Sequence, residues 1–448
     1  MTECSGKPLV FSTLFRRGVE ADFDGGHLTS DGGALLVREV DRRPGLIRRL
    51  AGCLSDPRDP RYVTHEVETL LRQRVFGLVL GYEDLIDHQT LRDDPLMKLV
   101  AEQDPAGGPL ASPPTLSRLE NRVDRAALGR MAGVLVETFV VSQAEPPEEV
   151  VLDFDATDDP LHGTQEGRFF HGYYDGYCYL PLYVFAGEHL LAAYLRPSNI
   201  DPSKHTRAIL KLLVTRFRQA WPHVRIVVRA DSGFCRWRLM RWCDRHGVDY
   251  LLGLAKNARL ERLAVPWAEE AARQVQATGT KQRLFAEASY AAETWDRPRR
   301  VLIKAEHLAD GPNTRFVVTS LPGDPQALYD ERYCARGEME NRIKEQQLAL
   351  FADRTSCHRF LANQFRLLLS AAAYVLVEAL RRVGLAGTQE AKAQTGTIRL
   401  RLLKVGARMR VTARRVVLHL ASGYPWQTLL RQVSARLAEW TIPAAAIS

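Results

Sequence analysis

The sequence has few cysteines, and none of them is placed like a zinc ligand or a redox pair. The seven cysteines among 448 residues form no CxxC pair and no zinc-ligand spacing. The first residues, MTECSGKPLVFS, lack the apolar core of a signal peptide. These absences predict a protein of the reducing cytoplasm.

Long hydrophobic runs and sequence repeats are also lacking. The most apolar stretch, from Leu367 to Val377, is too short to span a bilayer and is bounded by Arg366 and Glu378. It predicts a buried helix, and we expect no membrane segment. We find no fixed-period repeat, no heptad pattern, and no obvious Ser-His-Asp or Cys-His constellation for covalent catalysis.

Acidic residues are scarce at one end of the chain. The net charge is +8 and the sequence pI is near 9.1, a modest surplus for this length. From Ala386 onward, however, Glu390 and Glu439 are the only acids. The same region has ten basic residues: Lys392, Arg399, Arg401, Lys404, Arg408, Arg410, Arg414, Arg415, Arg431 and Arg436. This local excess indicates a phosphate-rich partner.

The pattern of apolar residues divides the chain into regions. Residues 1–142 are mostly of helical periodicity and predict a separate helical lobe, followed by a proline-bearing linker at 143–149. Residues 149–256 alternate strands and helices in the order β-β-β-α-β-α-β. Residues 257–321 predict an insertion with one charged helix and three strands. Residues 322–385 predict two helices, and 386–448 form the basic C-terminal region.

Three acidic residues lie where such a fold collects ligands. Asp155 ends the apolar strand VVLDFDA, Asp231 ends RIVVRAD, and Glu340 lies on the predicted helix Pro325–Leu350. An acid at the end of a buried strand reaches the rim of an open α/β sheet. Mg²⁺ is typically held by one or two carboxylates plus phosphate oxygens. The three acids therefore predict a site for Mg²⁺ or Mn²⁺.

Other structural roles for these acidic residues are also compatible with the sequence. Asp153 lies on the same face of its strand as Asp155, because side chains alternate with a period of two. Asp231 has the position of a helix N-cap. Arg336, Glu340 and Lys344 are four residues apart and share a helix face, which is also the pattern of a solvated helix with ion pairs. Asp158 and Asp159 have the positions of turn or cap residues.

Four blocks of the sequence together resemble a known family. They are VLDFDATDDPLHG, FHGYYDGYCYLPLYVF, VVRADSGF and YCARGEMENRIKE, with further likeness in LTSDGGALL, GYEDLIDHQTLRDDPL and PTLSRLENR. The chain resembles DDE-type transposases of bacterial insertion sequences with the YREK signature, and most closely the insertion-sequence thirteen-eighty family. The resemblance covers most of the chain and implies a ribonuclease H-like catalytic core of the α/β class.

The resemblance also implies roles for individual residues. Asp155, Asp231 and Glu340 would be the catalytic carboxylates and metal ligands, with two Mg²⁺ or Mn²⁺ ions expected. Tyr333 and Arg336 match the tyrosine and arginine of the signature. The family spacing places its lysine at Gln347, whereas the available lysine is Lys344, one helical turn after Glu340.

The implied function is DNA transposition. The chain would bind the terminal inverted repeats of its element, cleave there and join the ends to target DNA as a homodimer on paired ends. Tyr333, Arg336 and Lys344 would contact DNA near the acids, and Arg118, Asn121 and Arg122 in the amino-terminal lobe fit phosphate and base-edge contacts. A catalytically silent DNA-binding regulator and a stand-alone ribonuclease H-like nuclease are the alternatives.

Overall fold

A computed structural model describes residues 7–308 and 311–441. The strands are β1 (Leu9–Leu14), β2 (Arg17–Ala21), β3 (Leu28–Thr29), β4 (Glu149–Ala156), β5 (Asp159–Pro160), β6 (Phe169–His171), β7 (Gly176–Tyr179), β8 (Leu182–Ala186), β9 (His189–Tyr194), β10 (Arg225–Ala230), β11 (Asp249–Leu254), β12 (Arg283–Tyr290), β13 (Arg299–Leu308), β14 (Gly311–Thr319), β15 (Ala407–Val411) and β16 (Val416–Leu420).

The helices connect and cover these strands. They are α1 (Ala34–Arg42), α2 (Leu46–Ala51), α3 (Val67–Leu80), α4 (His88–Leu91), α5 (Pro95–Val100), α6 (Pro113–Asn121), α7 (Arg125–Ser142), α8 (Thr206–Ala220), α9 (Trp237–Arg245), α10 (Ala258–Thr278), α11 (Pro325–Ala327), α12 (Gly337–Leu350), α13 (Phe360–Ala379), α14 (Thr395–Ile398) and α15 (Gln427–Glu439). Short 3-10 turns occupy Pro60–Tyr62, Ser232–Phe234 and Cys334–Arg336, and π-helical turns occupy Leu328–Tyr333, Leu380–Gly384 and Arg399–Leu403.

The chain folds as two compact units. The terminal unit combines the residues up to Val123 with Ala372–Thr441, and the central unit is Asp124–Ala371. The division therefore lies before α7 and not at the predicted linker 143–149. The region predicted as a basic tail belongs to the terminal unit, where β15 pairs with β3.

The central unit is built on one mixed sheet of eight strands in the order β12-β13-β14-β11-β10-β4-β8-β9. Strands β4, β10 and β11 are parallel neighbours, and β8 runs antiparallel to β4. The predicted order β-β-β-α-β-α-β is confirmed by β4, β8, β9, α8, β10, α9 and β11. A separate three-stranded sheet, β5-β7-β6, lies in the loop between β4 and β8.

The predicted insertion is present, but it extends the main sheet. Helix α10 and strands β12, β13 and β14 fall within residues 257–321 as expected. Strand β14 pairs antiparallel with β11, and β13 pairs with β14. The insertion is therefore continuous with the core sheet, because β11 would otherwise offer an unpaired edge.

Alternation along β4 decides which residues face the site. Leu152 and Phe154 lie in the core formed with α8 and α9 on one face of the sheet. Val151 packs against the opposite core, which includes Leu328 and Tyr329 of the segment leading to α12. Because side chains alternate along a strand, Asp153 and Asp155 share the face of Val151. Both acids therefore face the side of the sheet covered by that segment.

The terminal unit is mainly helical, as predicted, but its first residues are not. Residues 9–29 form β1, β2 and β3, and the first helix, α1, begins at Ala34. The hairpin of β1 and β2 is exposed along its whole length, so neither strand has the buried apolar face by which strands are recognised. The prediction of a mostly helical region therefore did not include these strands.

One helical stretch, Phe360–Gly384, is long and apolar enough to cross a membrane by length and composition. In the protein, 83% of its most apolar window is buried. This burial agrees with the predicted role as a core helix.

Candidate active site

Asp155 lies at the end of β4 and is almost enclosed. Its Oδ1 accepts a hydrogen bond from the Ala156 amide at 2.9 Å, and its Oδ2 accepts one from Arg336 Nη1 at 3.1 Å. Burial raises the pKa of Asp155 to about 6, against the opposing effect of Arg336, and the charges of Asp231 and Glu340 raise it further. Asp155 is thus within electrostatic range of both Asp231 and Glu340.

Asp231 lies beside Asp155 at the same end of the sheet. Strands β4 and β10 are parallel, and Ala230 is paired with Phe154, so the next residue on each strand is an acid. Asp231 also caps the 3-10 turn Ser232–Phe234, with its Oδ1 accepting from the Gly233 amide at 2.9 Å. The capping role therefore exists, and it uses one carboxylate oxygen.

Arg336 connects Asp155 to the predicted glutamate. Its Nη2 donates to Glu340 Oε1 at 2.7 Å while its Nη1 donates to Asp155. Within residues 7–308 and 311–441, no three side chains of the metal-binding types lie close enough to hold one ion together. Arg336 takes the place of a cation between Asp155 and Glu340, and it compensates their charge.

Tyr333 reaches the same place from the π-helical turn before α12. A Cβ atom on Gly253 of β11 would lie 2.5 Å from the Tyr333 hydroxyl and 3.2 Å from the Asp231 carbonyl carbon. Burial raises the pKa of Tyr333, Arg336 opposes this effect, and Asp231 adds to it. Glycine at 253 therefore lets the tyrosine approach the end of β10.

Asp153, the alternative on β4, is fully engaged by an arginine. Arg229 on β10 donates from Nε to Asp153 Oδ1 at 2.5 Å and from Nη2 to Oδ2 at 2.7 Å. Its remaining Nη1 donates to the carbonyl of Arg332, the residue before Tyr333. The Arg229 guanidinium thus links Asp153 on β4 to the turn that carries Tyr333 and fixes the position of that turn relative to the sheet. Both carboxylate oxygens of Asp153 are engaged by Arg229.

Lys344 and Gln347 differ clearly in their surroundings. Gln347 donates from Nε2 to the carbonyl of Asp158 at 3.0 Å, which ties α12 to the loop after β4. Lys344 is exposed, and no ion pair or hydrogen bond to its ammonium occurs in the described part of the chain. Gln347 thus has a structural contact, whereas Lys344 can reach a ligand in solvent.

The residues predicted to bind DNA in the amino-terminal lobe do not all lie on one helix face, because the helix ends before Arg122. Helix α6 begins at Pro113 and ends at Asn121, so Arg122 is its C-cap and not part of a longer helical face. Arg118 and Arg122 line one cavity of the terminal unit. The Asn121 amide donates to the Ser117 carbonyl at 2.9 Å.

Two structural features of the site could not be foreseen from the sequence. Arg229 and Asp153 are 76 residues apart, and no local pattern indicates their pairing. Asp159, predicted to be a turn residue, is buried in β5, and neither of its carboxylate oxygens has a hydrogen-bond partner among the described residues. Burial, with Asp353 nearby, raises the pKa of Asp159 well above its usual range.

The donor set fits a divalent cation. Carboxylate oxygens are the ligands that Mg²⁺ and Mn²⁺ prefer, and Asp155 is electrostatically coupled to both Asp231 and Glu340. A cation would offset the burial, and the repulsion from Asp231 and Glu340, that raise the pKa of Asp155. Arg336 supplies part of that compensation in this structure.

Comparison with known proteins gives one family match. The model of the family described as "Transposase DDE domain group 1" matches residues 11–442. No curated protein matches the sequence. Among solved structures, a cryo-EM structure of the piggyBac transposase synaptic complex with hairpin DNA is similar, with a TM-score of 0.42 and 10% identity over 84% of this chain and 80% of that one.

Proposed function

Because the chain belongs to transposase DDE domain group 1 and is thus a DDE-type transposase, we propose that it moves an insertion sequence. It would bind the terminal inverted repeats, cleave the element ends and join them to target DNA. The YREK-like blocks support its placement in the insertion-sequence thirteen-eighty family. The strand order around β4 supports a ribonuclease H-like core.

The observation that carries this proposal is that Arg336 bonds to both Asp155 and Glu340, while Asp231 follows the strand paired in parallel with β4. Transposases of this class generally use divalent metal ions, and we propose that these three side chains hold two. Bound there, such ions would activate the attacking oxygen and stabilise the leaving oxygen of an in-line displacement.

Arg336, Lys344 and Tyr333, on α12 and in the turns before it, have separate roles in this proposal. Arg336 compensates the carboxylates until DNA arrives, because its guanidinium already bonds to Asp155 and Glu340. Lys344, which is exposed one turn further along α12, contacts a backbone phosphate. Tyr333 lies against Gly253 and Asp231, where its hydroxyl positions the scissile strand.

Substitution of the three acids tests the proposal. Asp155→Ala, Asp231→Ala and Glu340→Ala should each reduce cleavage of end DNA by about a thousandfold or more, because several kcal/mol of charge stabilisation are lost. Binding measured by gel shift should persist, since affinity comes mainly from phosphate contacts elsewhere.

Asp153→Asn is the matched control on the same strand. It should lower the melting temperature, because Arg229 loses a buried charged partner, while folded protein still cleaves. If Asp153→Asn abolishes cleavage and Asp155→Ala does not, the assignment on β4 is wrong.

A joining assay separates transposition from the two alternatives. Pre-cleaved end DNA incubated with a target plasmid and Mg²⁺ should give joined product. A stand-alone nuclease would cut without joining, and a silent regulator would bind without either reaction. Wild-type protein that yields no joined product would contradict the proposed function.

A further inference from the structure

The terminal unit contains a cavity of about 500 Å³ that lies apart from the acidic site. All of its lining residues belong to this unit. They are Arg58, Tyr62, Thr64, His65, Leu70, Arg92, Gly108, Pro109, Leu110, Ser112, Thr115, Arg118, Leu119 and Arg122. We call this cavity the arginine pocket.

The pocket has a large excess of positive charge. Four arginines and a histidine line it, and no acidic residue is among the lining side chains. The adjacent carboxylate of Asp56 pairs with Arg58 at 2.6 Å and with Arg122 at 3.1 Å. One carboxylate therefore pairs with two of the four guanidinium groups, and the wall of the pocket remains cationic.

Several of the guanidinium N–H groups have no acceptor. Arg92 Nε and Arg122 Nη2 are buried atoms without a hydrogen-bond partner among the described residues. Arg118 is exposed and forms no ion pair in the described part of the chain. Buried donors in folded proteins are nearly always paired, so the two buried N–H groups of Arg92 and Arg122 point to an anionic ligand that supplies the acceptors.

The ligand chemistry follows from the shape of the donors and the size of the cavity. Planar guanidinium groups bind phosphate through paired hydrogen bonds. The hydroxyls of Ser112 and Thr115 bond to each other at 3.1 Å and leave one further hydrogen to donate. One phosphate group fills roughly 60–90 Å³, the volume of two or three waters. The cavity is larger than that, and Tyr62, 81% exposed, gives it an aromatic wall for the adjoining nucleoside.

We propose that the arginine pocket binds a backbone phosphate of DNA together with the nucleotide attached to it. This inference rests on the proposed function, because it takes DNA to be the partner of the chain. It adds Arg58, Arg92, Tyr62 and His65 to the DNA-binding surface, beside Arg118 and Arg122. It also explains why so many like charges converge on one concavity.

The first test compares charge removal inside and outside the pocket. Arg92→Gln and Arg118→Gln should each weaken binding of an end-DNA duplex by about tenfold and reduce the slope of log affinity against log salt by about one. Arg48→Gln is the matched control, because Arg48 is an exposed arginine of the same unit whose side chain lies outside the pocket. It should change the affinity less than about twofold.

Fluorescence anisotropy at two salt concentrations gives both quantities for the full-length protein. Arg118 is exposed, so its variant should melt like the wild type and report on binding alone. If Arg92→Gln and Arg118→Gln lose no more affinity than Arg48→Gln, the pocket does not contact DNA.

A second measurement separates a DNA phosphate from free phosphate. Inorganic phosphate at matched ionic strength should raise the melting temperature of the wild type, and the double variant R92Q/R118Q should lose this shift. If the double variant loses the shift but binds DNA like the wild type, the pocket takes free phosphate and the DNA assignment is overturned. If wild-type protein binds no DNA at all, the proposed function fails, while the phosphate shift still reports on the pocket.

Discussion

His88 is a titratable side chain that is completely buried in the terminal unit. Arg74 Nη1 lies 3.3 Å from its Nε2, and a guanidinium can only donate, so this ring nitrogen must accept. Gln73 Nε2 lies 3.2 Å from the other ring nitrogen. Burial, with Arg74 nearby, lowers the pKa of His88 to about 3.

We therefore expect acid to destabilise the terminal unit through His88. The unfolded chain takes up the proton below about pH 6.5, whereas the folded chain resists it to about pH 3, so stability falls as the pH falls through this window. At pH 5 the loss should be about 2 kcal/mol in the free energy of unfolding. Urea titrations at several pH values measure it.

His88→Gln should flatten that pH dependence, because the variant has no imidazole to titrate. His27→Gln is the control for replacing a histidine, since His27 is exposed in the same unit. Equal slopes for wild type and His88→Gln between pH 6.5 and 5 would contradict the assignment.

At the scale of secondary-structure elements, β11 and the turn before α12 meet at Gly253. A Cβ atom there would lie 2.5 Å from the Tyr333 hydroxyl and 2.9 Å from the Ser232 amide nitrogen. We expect Gly253→Ala to cost about 1–3 kcal/mol in stability and to reduce cleavage at least about tenfold, because both the tyrosine and the Asp231 turn must shift.

Gly129→Ala is the matched control in the same unit. Nothing lies within 4 Å of its Cβ position on α7, so the substitution should stabilise the helix slightly. In a double-mutant cycle, Tyr333→Phe should relieve part of the stability cost of Gly253→Ala. Strictly additive effects would show that the two residues do not collide.

The hairpin of β15 and β16 presents a basic surface. Arg408 and Arg410 alternate with buried residues on β15, so both side chains point to solvent, and Arg414 and Arg415 lie in the turn. Replacing all four by glutamine should reduce the salt slope of DNA binding by about three to four, with little change in preference for end DNA over random DNA.

Gel-shift titrations with both DNAs at two salt concentrations measure this effect. Loss of end preference with an unchanged salt slope would show that the hairpin reads sequence and does not simply contact phosphates.

The sequence predicted the elements that carry strong local signals. Apolar runs with flanking turns predicted β4, β8, β9, β10 and β11. The spacing of four residues predicted that Arg336, at the N-cap of α12, lies on the same face as Glu340 in the first turn of that helix. Pairings distant in the chain have no such signal. Examples are Arg229 with Asp153, the addition of β14 to β11, and the pairing of β3 with β15. The hairpin β1–β2 was missed because a strand is recognised by alternating apolar residues on a buried face, and both of these strands are exposed.

At the scale of the whole molecule, we expect coordinated cutting to need two chains. Two element ends must be held together, so a homodimer on paired ends should supply two sets of Asp155, Asp231 and Glu340. Light scattering should show monomer for the free protein and a complex of two chains with two end DNAs. Efficient paired-end cleavage by a complex with one chain would refute this expectation.

The discontinuity of the terminal unit has a consequence for how the protein is made. A ribosome finishes the central unit, up to Ala371, before it begins the residues that pair with β3 and complete the terminal unit. Domains generally fold as units during synthesis. A nascent chain can therefore fold its central unit before β15, the strand that pairs with β3, has been synthesised. If the terminal unit recognises DNA as we propose, this recognition becomes available only after the central unit has been synthesised.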